Sequence, residues 1–203
     1  MKKILVIDDL TLTFVKKDID LLKKCFDVTF ISNKDFKLRK PIKYFFSLIK
    51  AIPLAKKADY IYSMWLTSSY SVILGLLANK KVILTGGGFD CVGNKQLNYG
   101  VFANPIKSLI VKFNLRFAYK IIVVHEKLKE SLLKHTSVDP NKIFVINYGF
   151  SIFPTTRNKE RIYITSISLN TSAKISDCKM RHLVKGIDRF VDVARNSPNH
   201  KFY

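Results

Sequence analysis

The sequence predicts an α/β fold: a doubly wound, mostly parallel sheet followed by an incomplete second α/β domain. Three observations lead there. Short β-branched runs alternate with amphipathic segments from the first residues onward. The strand runs are near-continuously apolar, as strands covered by helices on both faces must be. The last third holds one strand run, one helix pattern and the beginning of another strand.

The first strand run is Lys3–Ile7, followed by helical spacing from Phe14 to Phe26 through Ile19, Leu21 and Leu22. Asp27–Ser32 is the second strand, and Lys40–Lys57 the helix behind it. Tyr60–Met64, Lys81–Thr85, Lys120–Val124 and Lys142–Ile146 are the further strands. Ser68–Ala78, Pro105–Ala118 and Glu126–His135 are the helices between them. Residues 1–150 are thus expected to form one domain, which should bind ligands at the carboxyl ends of its strands. A polar, Pro-containing hinge over 151–160 leads to residues 161–203. There a strand run (Ile162–Ile167), a Ser/Thr/Asn/Lys-rich loop (168–184), a helix (Lys185–Arg195) and a last strand (His200–Tyr203) follow in turn. Those pieces cannot bury a core by themselves. Either the molecule is a fragment or its chemistry is completed elsewhere.

Composition narrows the class. Apolar residues at 48% and aromatics at 12% suffice for a packed core. Cys25, Cys91 and Cys178 are odd in number and widely spaced. They suggest a reducing compartment rather than a disulfide framework or a zinc site. The start places Asp8 and Asp9 after only four apolar residues, too few for a secretory signal. The longest apolar candidate, Tyr44 to Ala55, is interrupted by Lys50 and Pro53 and is too short to span a membrane. The net charge of +20 would attract polyanions in principle. Because 28 of the 35 basic residues are Lys, a general compositional bias explains it equally well.

The first strand-to-helix turn, Asp8–Thr13, has no glycine, and no Gly-x-x-x-x-Gly-Lys-Ser/Thr occurs. NAD binding and P-loop hydrolysis are therefore not expected. The glycines follow the fourth strand instead, as Thr85-Gly86-Gly87-Gly88-Phe89-Asp90. They would let a ligand approach the backbone, or simply supply a tight turn. Asp90 could cap a helix or orient a sugar hydroxyl. Asp18 and Asp20 match an Asp-x-Asp but fall inside a helix, where they read as a solvated face. His125 ends the fifth strand as a capping or packing residue. His135, His182 and His200 lack ligand spacing, so no metal and no cofactor is expected. Lys37, Arg39, Lys40 and Lys43 merge into Tyr44, Phe45, Phe46, Leu48, Ile49 and Ile52. That is the pattern of interfacial membrane contact, although a helix packing its apolar face on the sheet is the plainer reading.

Four segments in order resemble the GT-B glycosyltransferases of the family 4-like group. Val82–Asp90 with Asn98-Tyr99-Gly100 is similar to an acceptor-side Gly-Gly-[Tyr/Phe]-Asp loop and a later Tyr-Gly. Ile121–Leu132 matches a segment in which the family usually has Ser where this chain has His125. Asp139–Gly149 resembles the strand leading into the hinge, with Asn147 and Tyr148 displaced from the usual order. Arg181–Asp188 resembles the Arg…Lys-Gly motif that opens the donor domain. The resemblance implies a Rossmann-like acceptor-side domain and a retaining hexosyltransferase. Its donor is a nucleotide-sugar and its acceptor a glycan, lipid-linked or small-molecule compound. Gly86, Gly87, Gly88, Asp90 and Tyr99 would line the acceptor side, and Arg181 and Lys185 would hold the donor phosphates. No catalytic residue is assigned.

The chain's three Glu, Glu126, Glu130 and Glu160, do not form the donor-site pair the family carries eight positions apart. The chain alone is therefore expected to be inactive. A cytoplasmic protein, peripheral on the inner membrane face, is implied. The rival is a non-catalytic basic module that binds a partner enzyme or anionic membrane. Nucleic acid is not an expected partner, since interleaved aromatic-basic loops are not evident.

Overall fold

In a computed structural model the described residues are 1–36, 41–147, 149, 163–164, 187–197 and 201–202. The chain divides into two units, Met1–Lys95 with Tyr99–Tyr148, and Gln96–Asn98 with Gly149–Tyr203. The hinge 151–160, the loop 168–184, Lys37, Arg39, Lys40, Cys178, Arg181, His182, Lys185 and His200 lie outside the described residues.

The first unit is a six-stranded sheet: β1 Lys2–Asp8, β2 Phe26–Ser32, β3 Tyr60–Met64, β4 Lys81–Gly86, β5 Lys120–Val123 and β6 Ile143–Val145. Its order is β2-β1-β3-β4-β5-β6 and every pair is parallel. Five α-helices connect the strands: α1 Thr13–Leu22, α2 Pro41–Lys57, α3 Ser69–Ala78, α4 Pro105–Phe117 and α5 Glu126–His135. Several boundaries shift from the sequence reading, and two of the shifts have a visible cause. The first helix stops at Leu22, because Phe26 opens β2 and pairs with Lys2. Lys142 closes a 3-10 turn, Pro140–Lys142, so β6 begins at Ile143.

The pleat sorts the core into two layers. Ile4 and Val6 meet Val15 and Ile19 of α1, together with Tyr62 and Met64. Leu5, Ile7, Ile61, Leu84, Ile121 and Val123 point the other way, into a larger layer with α2, α3, α4 and α5. This is the period-2 alternation of side chains acting on a doubly wound sheet. Because the chain steps from β1 out to β2 and then back across to β3, α1 lies on one face and α2 to α5 on the other. The strand order reverses between β1 and β3, the position where such sheets open a crevice.

Helix α2 departs from the expectation of one sheet-facing apolar side. It does bury Leu48, Ala51 and Ala55. A second stripe, Ile42, Phe45, Phe46 and Ile49, points to solvent at exposures of 74, 61, 57 and 46%. The helix is apolar on two faces, and only one is covered among the described residues.

In the second unit β7 (Tyr163–Ile164) pairs in parallel with β8 (Lys201–Phe202), and α6 spans Ile187–Arg195. Arg195 pairs with Asp192 at 3.8 Å, one turn earlier.

The fit of α3 on β4 is checkable. A Cβ at Gly75 would sit 2.2 Å from Val82 Cγ2 and 3.2 Å from the Lys80 carbonyl. Helix propensity favours Ala over Gly by about 1 kcal/mol, whereas overpacking costs about 1–3 kcal/mol. Gly75→Ala should therefore lower the urea-unfolding free energy. A gain in stability would show that the two elements are not this close.

Candidate functional site

The carboxyl ends of β1, β3 and β4 are held together by carboxylates that accept main-chain N–H groups. Asp8, the last residue of β1, is fully buried. Its Oδ2 accepts from Met64 N at 2.6 Å and its Oδ1 from Asp9 N at 2.9 Å. Burial pushes its carboxyl up to about 6, against the pull of those two amides, and the neighbouring Asp9 and Asp18 add to the rise. Asp9 turns outward and accepts from Thr11 N and Oγ1 at 3.0 and 2.8 Å. That local turn replaces the glycine loop a dinucleotide fold would have.

The β3–α3 turn is fixed more tightly. Trp65 adopts φ 89°, unusual for a bulky side chain. Its N–H still reaches the Thr85 carbonyl at 2.7 Å, extending the β3–β4 ladder by one bond. The turn aims Leu66 N at Asp90 Oδ2, 2.8 Å away. Asp90 Oδ1 accepts from Gly87 N and Gly88 N at 3.0 and 3.2 Å. On the other side, Asn114 Nδ2 of α4 donates to the Leu66 carbonyl at 2.7 Å. The backbone of one residue, on both sides of its Cα, is thus gripped from two elements, the loop after β4 and α4.

Asp90 is 1% exposed, with both oxygens engaged by the backbone. Burial raises its pKa, and the amides of Leu66, Gly88, Asp90 itself and Gly87 oppose the rise. The glycines follow from the same packing. A Cβ on Gly86 would lie 2.5 Å from Cys91 Sγ, and Gly88 has φ 143°, open to glycine alone in practice. Gly86 is buried, while Gly87 and Gly88 keep partial exposure. Cys91 is a buried thiol, and burial drives its pKa well above the ordinary value.

Asp18 corrects the sequence reading of a solvated face. It is half-buried and accepts from Tyr62 OH at 2.7 Å, and Thr85 Oγ1 donates to the same phenol at 3.0 Å. Burial raises the Asp18 carboxyl, and burial followed by Asp18's charge raises the Tyr62 phenol. Asp20, two residues on, is exposed. His125 caps α5, its Nδ1 accepting from Lys127 N at 3.1 Å. Tyr99 is half-buried and meets the exposed Phe89 edge-on, ring centroids 5.3 Å apart. The structure therefore brings Gly86, Gly87, Gly88, Asp90, Phe89 and Tyr99 together at the carboxyl end of β4. Arg181 and Lys185 lie outside the described residues. Among the described residues no three His, Cys, Asp or Glu side chains converge as metal ligands.

Sequence reasoning missed Asp8, Leu66 and Asn114. An Asp directly after four apolar strand residues was the available signal for Asp8. Leu66 and Asn114 carried none, since their partners lie 24 and 48 residues away. What the arrangement offers chemically is a rigid, water-accessible edge. The backbone of Gly87 and Gly88 and the Phe89–Tyr99 pair keep exposure there, Trp65 packs partly buried against Phe14, and the carboxylates of Asp8 and Asp90 are withdrawn into the scaffold.

No protein-family model and no curated protein sequence matches the chain. Solved structures do. Anabaena Alr3699/HepE, crystallised with UDP and glucose, aligns with a TM-score of 0.50 at 15% identity, covering 74% of this chain and 45% of that one. The lipopolysaccharide outer core galactosyltransferase WaaB, in its apo form, aligns with a TM-score of 0.52 at 10% identity, covering 99% of this chain and 72% of that one. The UDP-GlcNAc 2-epimerase of Methanocaldococcus jannaschii aligns at 0.47 and 13%, covering 71% and 45%. The chain thus spans less than half of the first of these proteins. At such identities the likeness is one of fold: a six-stranded parallel Rossmann-like sheet of the GT-B type.

Asp8 makes this edge sensitive to pH. Its carboxyl holds a proton more tightly folded (about 6) than at its ordinary value of 3.8. Its contribution to stability is therefore full below 3.8 and is lost as pH rises through 6. Relative to Asp8→Asn, the wild-type unfolding free energy should fall by at most about 3 kcal/mol between pH 4 and 7. Denaturant titrations across that range measure it; a difference that stays flat or grows with pH would contradict the assignment.

Proposed function

We propose that this chain supplies the acceptor side of a glycosyltransferase that moves a sugar from a nucleotide-sugar donor to a glycan, lipid-linked or small-molecule acceptor. The observation that carries the reading is the loop Gly86–Asp90, set with Tyr99 at the carboxyl end of β4 in a GT-B-type sheet. The four ordered sequence segments support it. In this reading Gly87, Gly88, Phe89 and Tyr99 form the surface on which a saccharide ring lies, and the buried Asp90 and Gly86 hold that surface in shape. Aromatic rings of this kind offer sugars an apolar face, and backbone amides orient the hydroxyls.

The transfer breaks the bond between the anomeric carbon and the donor diphosphate and forms one to an acceptor oxygen. The acceptor's proton leaves, and the diphosphate keeps the electron pair. Its growing charge requires cations or a helix N-terminus. Arg181 and Lys185 are the proposed donors of that charge, with retention of configuration and a hexosyl group as the expected chemistry. The three Glu of the chain do not include the expected donor-site pair, so acceptor recognition rather than turnover is assigned to these 203 residues.

The exposed stripe Ile42, Phe45, Phe46 and Ile49 on α2 supports a peripheral position on an anionic membrane, on its cytoplasmic face. Among the described residues no helix is long and apolar enough to cross a membrane.

Ligand-observed NMR against free and lipid-linked saccharides tests the reading, with Phe89→Ala and Tyr99→Ala as site variants. At least one saccharide should bind, and each variant should weaken it about tenfold, the equivalent of ~1.4 kcal/mol. Absence of saccharide binding, or binding untouched by both variants, would overturn the acceptor assignment. Turnover of a nucleotide-sugar by this chain alone would overturn the division of labour.

A further inference from the structure

The sheet's opposite edge, where β5 and β6 begin, carries a cavity of about 670 Å³ that the glycosyl-transfer reading does not use. It lies between the last turns of α4 and α5 and the segment that leads into β6. Its lining brings together four cations, Lys112 and Arg116 from α4, Lys134 from α5 and Lys142 from the 3-10 turn, with the imidazole of His135 beside them. Leu115 and Val138 give it an apolar floor, and Thr136 and Ser137 add hydroxyls.

The single acid in the lining, Asp139, accepts from Asn141 N through Oδ1 at 2.9 Å, so four cations face one carboxylate. Among the described residues of the first unit, the side-chain ion pair Lys34–Asp9 involves none of the residues that line this cavity. Lys142 Nζ donates to the Arg116 carbonyl at 3.1 Å, which fixes one ammonium at the rim and leaves two of its protons for a ligand. His135 stacks on Phe102, centroids 4.7 Å apart and 18° between planes. Its pKa is held below the ordinary value by burial, then by the charges of Lys134 and Lys112.

Helix-end electrostatics offer a plainer account, since cations favour helix C-termini. They account for Arg116 and Lys134. They do not account for Lys112, which stands well before the end of α4, nor for four cations converging on one concavity. Ligand sites run from roughly 300 to 1,000 Å³, so the volume suits an organic molecule better than a lone ion.

We propose that this cavity binds a small phosphorylated organic anion, its phosphate groups held by Lys112, Arg116, Lys134 and Lys142 and its carbon skeleton against Leu115 and Val138. Cations from several elements around phosphate oxygens make short, charge-assisted hydrogen bonds. The site stands independently of the acceptor assignment, because it is built at the other end of the strands from different residues. The phosphate could belong to a soluble metabolite or to a lipid headgroup.

Calorimetry on the full chain at physiological ionic strength decides the matter. The probes are inorganic pyrophosphate, fructose 1,6-bisphosphate, and vesicles of phosphatidylcholine with or without phosphatidylglycerol. Lys112→Ala/Lys134→Ala removes two rim cations that are exposed and leaves the Lys142–Arg116 bond in place, so the fold should persist. Lys16→Ala/Lys17→Ala on α1 removes the same charge elsewhere. The expected result is binding of a phosphate probe that the cavity variant weakens about tenfold or more and the α1 variant by about twofold at most. Loss confined to the soluble probes identifies a metabolite site, and loss confined to phosphatidylglycerol vesicles a headgroup site. Equal weakening by both variants, or no binding of any probe by the wild type, overturns the proposal.

Discussion

The backbone of a single residue, Leu66, organises the carboxyl edge of the sheet. Its N–H is held by Asp90 from the loop after β4, and its carbonyl by Asn114 from α4. These contacts tie the β3–α3 turn, the glycine loop and α4 to one another. With them, the positive φ of Trp65 becomes tolerable, since the surrounding bonds over-determine a conformation that otherwise costs about 1–3 kcal/mol. Buried carboxylates that accept several amides are stable only while all those bonds are made. The carboxylate of Asp90 therefore acts as a scaffold group, and whatever binds here meets the loop's backbone and the Phe89–Tyr99 pair.

Asp8 repeats the device one strand over, linking β1 to the end of β3. Together the two carboxylates close the edge at the point where strand order reverses. A rigid edge of this kind suits a binding surface that must present backbone groups without rearranging. The opposite edge has a different character. It is lined by lysines and an arginine, with an apolar floor and one carboxylate, Asp139. The two edges are separated by the length of the strands, and their chemistries do not overlap.

Much of the fold was legible in the sequence because a parallel sheet imposes near-continuous apolar strands separated by helices. The six strand runs fall where β1 to β6 lie. Errors arose where local pattern is ambiguous. Phe26 fits a helical period and a strand equally, and pairing with β1 decides it. In α2 the apolar residues run almost around the helix, so periodicity could not reveal that Ile42, Phe45, Phe46 and Ile49 face solvent. Asp18 looked solvated because its partner, Tyr62, comes from β3, 44 residues away. The site was less legible for the same reason. The glycines and Asp90 announced a special turn, but whether Asp90 serves a ligand or the backbone depends on Leu66, which local sequence does not connect to it. His125 was read as a capping or packing residue, and its hydrogen bond to Lys127 N makes it a cap.

The claim on which this account rests is that Asp90 locks the β3–α3 turn to the β4 loop. Amide hydrogen exchange in the wild type and in Asp90→Ala tests it most directly. The account predicts that Leu66, Gly87 and Gly88 lose their protection in the variant while the amides of β1 and the centre of β3 keep theirs. Unchanged protection at Leu66 would contradict it.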